Sequence, residues 1–158
     1  MPDKSSVKTA VFYGISSEFL SVALKIIEKL YENKENTLFL CRDESEIKEY
    51  DAKLWTYSKT SFIPHCSANT IKEGMIEFCH TWISEDIEFP NNPVCLIHNG
   101  LDVNDPKIEA FTKIVDIFDI SLIEVAKKRA SFYASLGFNE QKFWEQNGAT
   151  WTSKVPLA

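Results

Sequence analysis

The residues of this chain best suited to chemistry are three histidines, His65, His80 and His98, four cysteines, Cys41, Cys66, Cys79 and Cys95, and the carboxylates Asp43, Glu44, Glu46 and Glu49. Zinc binding or dithiol redox chemistry calls for closely spaced thiols, and there is no C-x-x-C pair. His65-Cys66 and Cys79-His80 come nearest to a metal set, but neighbours on a strand point to opposite faces, so each pair struggles to give one ion two ligands. Cys41 and Cys95 lie in apolar runs, where a thiol acts as a small hydrophobe. No serine stands in a G-x-S-x-G elbow. The four carboxylates fall at the start and on the exposed face of a helix, where they complement its macrodipole. The expectation is a chain with no catalytic residue and no metal.

The elements that hold these residues read as an α/β chain. Strands are expected at Thr9 to Tyr13, Thr37 to Cys41, Met75 to Trp82, Val94 to His98 and Lys113 to Phe118. Helices are expected from a Ser16 or Ser17 cap to about Asn33, from Glu44 to Leu54, from Asp105-Pro106, and from Ser121 to Leu136 with Gly137 behind it. This alternation predicts a single Rossmann-like three-layer domain: an open, mainly parallel sheet of about five strands with helices on both faces. The domain is expected over residues 1–139. Residues 140–158, with Phe143, Trp144 and Trp151, are an extension of it that packs back or frays. Trp55 to Glu73 is mostly loop, and a loop that long in a compact domain is usually functional.

Composition narrows the function. With 44% hydrophobic and 25% charged residues the chain is an ordinary globular protein. No apolar run approaches a membrane span, and Met1 to Ser6 leads into a strand and not into a secretory segment, so a cytoplasmic location is expected. The 17 Lys and Arg against 23 Asp and Glu give a net charge of -6, which works against direct nucleic-acid binding. Any acidic partner must meet a local basic cluster. The first βα turn, Tyr13-Gly14-Ile15-Ser16-Ser17-Glu18, lacks the glycines of a dinucleotide site and the Gly-Lys-Ser/Thr of a P-loop. Glu18 also puts a negative charge where a phosphate would sit, so no nucleotide cofactor is expected.

The helix from Ser121 to Leu136 says more. At 100° per residue, Leu122, Val125, Ala126, Arg129, Tyr133 and Leu136 share one face, with its centre near Leu122. Arg129 inside that stripe must be paired, with Asp116 or Asp119 as the available partners, and its role is then structural. Lys127 borders a shoulder of Ile123, Ala130 and Ala134, which suits a ligand with negative charge and a hydrophobic end, while Lys128 points away. Taken alone, Lys127 reads more simply as a solvated lysine.

Two stretches shift that balance. Asp51-x-x-Leu54-Trp55, followed by Ser61-Phe62-Ile63-Pro64-His65, resembles the D-x-x-L-W…S-F-x-P-H segment of the chi subunit of bacterial DNA polymerase III. Ala126-Lys127-x-Arg129-x-x-x-Tyr133, closing on Gly137-Phe138-Asn139, resembles that family's ending, and the likeness covers about residues 9 to 139. The resemblance implies a non-catalytic accessory subunit of the clamp-loader assembly, with no cofactor. It implies two partners: a psi-like subunit or a repair helicase, and the acidic C-terminal tail of single-stranded DNA-binding protein. By resemblance Lys127 and Trp55 bind the tail beside Ile123 and Ala130, and Phe62 with its neighbours Ile63 and Tyr57 faces the other partner. The sequence departs from the family at Ala130, often aromatic there, and at Ser131, where a basic residue is usual. Without the resemblance, the alternatives are a small α/β enzyme or small-molecule binder with its site at the strand ends, or a purely structural subunit.

Overall fold

The computed structural model describes residues 7–58, 62–68, 70–72 and 74–158; Met1 to Ser6, Ser61 and Glu73, which enter the readings above, lie outside the described residues. The chain runs β1 (Thr9–Ile15), α1 (Phe19–Glu32), β2 (Thr37–Leu40), α2 (Glu44–Thr56), β3 (His65–Ser67), β4 (Thr81–Ser84), β5 (Cys95–Asn99), β6 (Lys113–Asp119), α3 (Ile123–Ser135), β7 (Glu140–Asn147) and β8 (Thr150–Lys154). The expected five strands are therefore too few: there are eight among the described residues. The chain divides into two compact units, one made of the chain up to Phe19 with His98–Ala158, the other of Leu20–Ile97.

In the first unit, β1 lies between β6 and β7 and is parallel to both, with Thr9 opposite Lys113 on one side and Glu140 on the other. β8 returns antiparallel along β7. The segment read as packing back or fraying is thus a hairpin built into this unit, with Phe143 buried 5.9 Å from the Phe118 ring and Trp151 edge-on to Tyr13 at 5.3 Å. Helix α3 lies on β1 and β6. It ends in a left-handed Gly137 (φ +98°), where the Gly137 and Phe138 amides donate to the Ala134 and Tyr133 carbonyls. The Lys8 ammonium donates to the Leu136 carbonyl at 3.0 Å, placing a cation at the negative end of the helix.

In the second unit, β2 is buried along its whole length between β4 and β5, both parallel to it, and β3 adds to the far side of β4. That double burial explains the apolar run of residues 38–40, while the buried Thr37 hydroxyl donates to the Glu35 carbonyl at 3.0 Å. Helix α1 buries Leu20, Ala23, Leu24, Ile27 and Leu30, an amphipathic stripe at helical spacing. Helix α2 is nucleated by its cap: the Asp43 carboxylate accepts from the Glu46 amide at 3.0 Å, and Glu46 accepts from the Arg42 amide at 2.7 Å. Its inner face buries Ile47, Tyr50 and Leu54, with Tyr50 stacked on Phe39 of β2 at 4.7 Å. The strand expected over Met75 to Trp82 is shorter and later; Ile76–Phe78 is a 3-10 turn and pairing begins at Thr81.

Candidate functional site

In the second unit, the outer end of α2 meets the segment that follows it. Asp51 and Trp55, one turn apart, put their side chains on the same helix face. The Trp55 ring lies 4.9 Å from Phe62 and 5.1 Å from His65, and Phe62 lies 5.7 Å from His65. His65 is the fixed member of this trio. Its buried imidazole donates from Nδ1 to the Ile63 carbonyl at 2.8 Å, since a carbonyl can only accept, and its Nε2 sits 3.2 Å from Asp51 Oδ1 without hydrogen-bond alignment.

Around this trio lies a groove of about 580 Å³ whose apolar lining includes Trp55, Phe62, Ile71, Met75 and Phe78 and whose charged lining is Asp51 and Lys72. Four large apolar side chains stand in the open there: Trp55 at 60% exposure, Phe62 at 48%, Met75 at 46% and Phe78 at 66%. Apolar surface gathered in this way marks a binding face.

Only part of the expected interface belongs to that groove. Phe62 does; Ile63 is 2% exposed, and Tyr57 is half-buried, with its hydroxyl donating to Glu28 of α1 at 3.3 Å. Burial and the Glu28 carboxylate push the Tyr57 phenol up. Met75 and Phe78 also line the groove, which a strand over Met75 to Trp82 does not foretell.

In the first unit, α3 and β6 enclose a buried polar network. Arg129 grips Asp116 with two bonds, Nε to Oδ2 at 2.7 Å and Nη2 to Oδ1 at 2.9 Å. Tyr133 donates to Asp116 Oδ2 at 2.8 Å, and His98 Nε2 lies 2.9 Å from the Tyr133 hydroxyl. The Leu101 amide donates to His98 Nδ1 at 3.0 Å, which fixes the tautomer with the proton on Nε2. Of the two candidate partners for Arg129, Asp116 is the one used, while Asp119 accepts from the Ser121 amide and hydroxyl.

Burial lowers the His98 pKa and, with the Asp116 carboxylate, raises that of Tyr133 well above the ordinary phenol range. Burial also opposes the charge on Arg129, but the hydrogen bonds to Asp116 outweigh it and hold the guanidinium protonated. A His, an Asp and a Tyr in contact have the makings of a proton relay, yet all are buried and bonded to one another. Their effect is to lock α3 onto β6.

That lock turns α3 differently from the expected stripe. The buried positions are Ala126, Arg129, Ala130 and Tyr133, while Leu122 and Val125 are exposed. Ala130 is fully buried and has no surface left for a ligand, so its expected part in a tail site is corrected. Lys127 is exposed and pairs with Glu124 at 3.3 Å, and Ile123 is half-buried one turn before it. Lys128 is exposed. Trp55, the remaining member of that expected set, belongs to the second unit, where its ring is shared with Phe62 and His65.

The first βα turn is spent on packing. A Cβ on Gly14 would lie 2.6 Å from Ile120 Cδ1 and 3.2 Å from Phe118 and Phe143, so the glycine makes room for those side chains. The Ser16 amide donates to Gln146 Oε1 at 2.9 Å, and the Gln146 amide donates back to Ser17 Oγ at 2.9 Å. Burial and the carboxylates of Glu46, Asp43 and Glu85 push the Cys41 thiol far up, and burial with the neighbouring Cys66 does the same at Cys79, so neither is a nucleophile at neutral pH. Among the described residues, no three His, Cys, Asp or Glu are grouped to hold a metal ion, and no helix is long and apolar enough to cross a membrane.

A family model described as DNA polymerase III chi subunit, HolC, matches residues 7–141 of this chain. A probable DNA polymerase III subunit chi from Rickettsia prowazekii (strain Madrid E) is 27% identical over 88 residues, which are 56% of this chain and 52% of that protein. The matched stretch thus spans about half the length of that relative.

Proposed function

Because the chain belongs to the family of DNA polymerase III chi subunits, we propose that this replication accessory subunit is a non-catalytic, cytoplasmic adaptor of the clamp-loader assembly. On this reading it is a Rossmann-like chain without a nucleotide site. It joins a psi-like subunit to the acidic C-terminal tail of single-stranded DNA-binding protein. The observation that carries the reading is the open apolar groove of the second unit: Trp55, Phe62, Met75 and Phe78 make a surface of the kind that partners cover.

The tail needs the opposite chemistry, a cation beside apolar surface. The second unit repels an acidic peptide, since residues 20–97 hold thirteen Asp and Glu against eight Lys and Arg, five of the net six negative charges. The first unit is nearly neutral and carries Lys127 on α3 with Ile123 one turn before it. Releasing Lys127 from exposed Glu124 costs little, about 0.3–0.5 kcal/mol for such a helix pair. The experiment is fluorescence anisotropy with a labelled peptide of the tail. Lys127→Glu is expected to abolish binding, a loss of roughly 10- to 150-fold for a charge-assisted contact, and Lys128→Glu to weaken it modestly. Unaltered binding in Lys127→Glu, or equal losses at both lysines, overturns this placement of the tail.

A further inference from the structure

Two aromatic rings of the groove, Trp55 and Phe62, are exposed, so burial does not set their rotamers. They come from different elements, Trp55 from the last turn of α2 and Phe62 from the segment before β3. Both meet the His65 ring at the start of β3, Trp55 edge-on at 70° and 5.1 Å and Phe62 tilted by 51° at 5.7 Å. One imidazole thus touches both rings.

That imidazole is out of a partner's reach, since its side chain is 0% exposed. Its own pose is held by Nδ1, which donates at 2.8 Å to the carbonyl of the buried Ile63. Its Nε2 lies 3.2 Å from Oδ1 of Asp51, which shares a helix face with Trp55. The bond and the ring are separable. An asparagine amide at this position can keep the donor to Ile63 but has no ring, whereas a phenyl ring keeps the aromatic contacts but has no donor. We infer that His65 is a positioning residue of the partner face: it makes no contact with the partner, and it fixes the poses of Trp55 and Phe62 before the partner docks. This rests on the proposal that the groove is a partner site, and it names the buried group that prepares that site. A ring already held in its bound pose loses less side-chain freedom on docking, an advantage of about 2- to 12-fold in affinity per ring.

The test compares His65→Asn with His65→Phe in the full chain. The purified psi-like subunit is titrated onto each fluorescein-labelled variant, and affinity is taken per folded molecule. His65→Asn is expected to melt near the wild-type temperature and to bind more weakly, by about 2- to 12-fold for each ring released. His65→Phe is expected to melt lower, because the Ile63 carbonyl loses its donor, and to bind as the wild type does. Fluorine NMR of the chain labelled with fluorotryptophan follows the ring itself. The Trp55 line, assigned by its loss in Trp55→Phe, is expected to narrow in His65→Asn as the freed ring reorients, and to keep its width in His65→Phe. Affinity per folded molecule that is unchanged in both variants, while Phe62→Glu still weakens binding, makes His65 purely structural; it overturns the inference and leaves the partner site standing. An affinity loss in His65→Phe as large as in His65→Asn overturns it as well, because the ring is then not what prepares the face. Failure of both variants to melt cooperatively assigns His65 to the fold and also overturns it. No binding by the wild type, or unchanged affinity in Phe62→Glu, overturns the partner site and the inference with it.

Discussion

Replacing Arg129 by alanine strands a carboxylate. Asp116 is fully buried, and two of its three short bonds come from the guanidinium; only the Tyr133 hydroxyl, at 2.8 Å, remains in the variant. Removing one member of a buried ion pair costs about 3–5 kcal/mol, because the other charge is left out of water without compensation. For a chain of this length that is a fall in melting temperature of roughly 6–20 °C, at about 2–4 °C per kcal/mol.

Calorimetric melting of wild type and Arg129→Ala at neutral pH measures the loss. A loss under about 1 kcal/mol, the usual size of an ordinary substitution, would refute the claim that this pair locks α3.

Three further outcomes follow from the geometry. Burial lowers the pKa of His98 and His80 below the ordinary 6.5, against the pull of Asp116 on the first and of the Glu35 carbonyl on the second. The unfolded chain takes up these protons first, so stability is full above about pH 6.5 and declines below it, by up to about 1.4 kcal/mol per pH unit for each imidazole; a urea midpoint equal at pH 7.5 and 5.5 contradicts this. Gly14→Ala brings a methyl 2.6 Å from the tip of Ile120, which can turn aside, and 3.2 Å from the packed Phe118 and Phe143 rings, and is expected to cost about 1–3 kcal/mol by thermal melting. The unsubstituted chain is expected to bind neither ATP nor NAD by calorimetry, because Ser16 spends its amide on Gln146, and micromolar binding of either would contradict the account.

Much of the fold is written in periodicity. The stripe of α1, the buried run of β2 and the Gly137 stop of α3 are each the direct trace of a buried face or a left-handed residue. The family, too, is legible: the chi-like motifs of residues 51–65 and 126–139 lie within the residues 7–141 that the family model matches. What escaped were elements with little buried surface. β7 buries only Phe143 and β8 buries nothing fully, so neither shows the alternation of a half-buried strand. β3 has three residues inside a polar stretch.

The orientation of α3 departs from its apolar stripe for a related reason. Leu122 and Val125 count as apolar in any periodicity, yet the face that turns inward is chosen by Arg129 and Tyr133, whose partner, Asp116, lies on another element. A one-dimensional pattern does not weigh a buried ion pair. In the same way the groove was half legible: Trp55 and Phe62 were found as neighbouring aromatics, whereas Met75 and Phe78 reach it only through the turn at Ile76–Phe78.

The measurement that tests the adaptor most directly is whether both partners bind at once. Light scattering on a size-exclusion column would follow the chain, its psi-like subunit and a labelled tail peptide of single-stranded DNA-binding protein. The account predicts one complex containing all three, from which Lys127→Glu removes only the peptide and Phe62→Glu only the psi-like subunit. Mutual displacement of the two partners, or loss of both from either single variant, would contradict it.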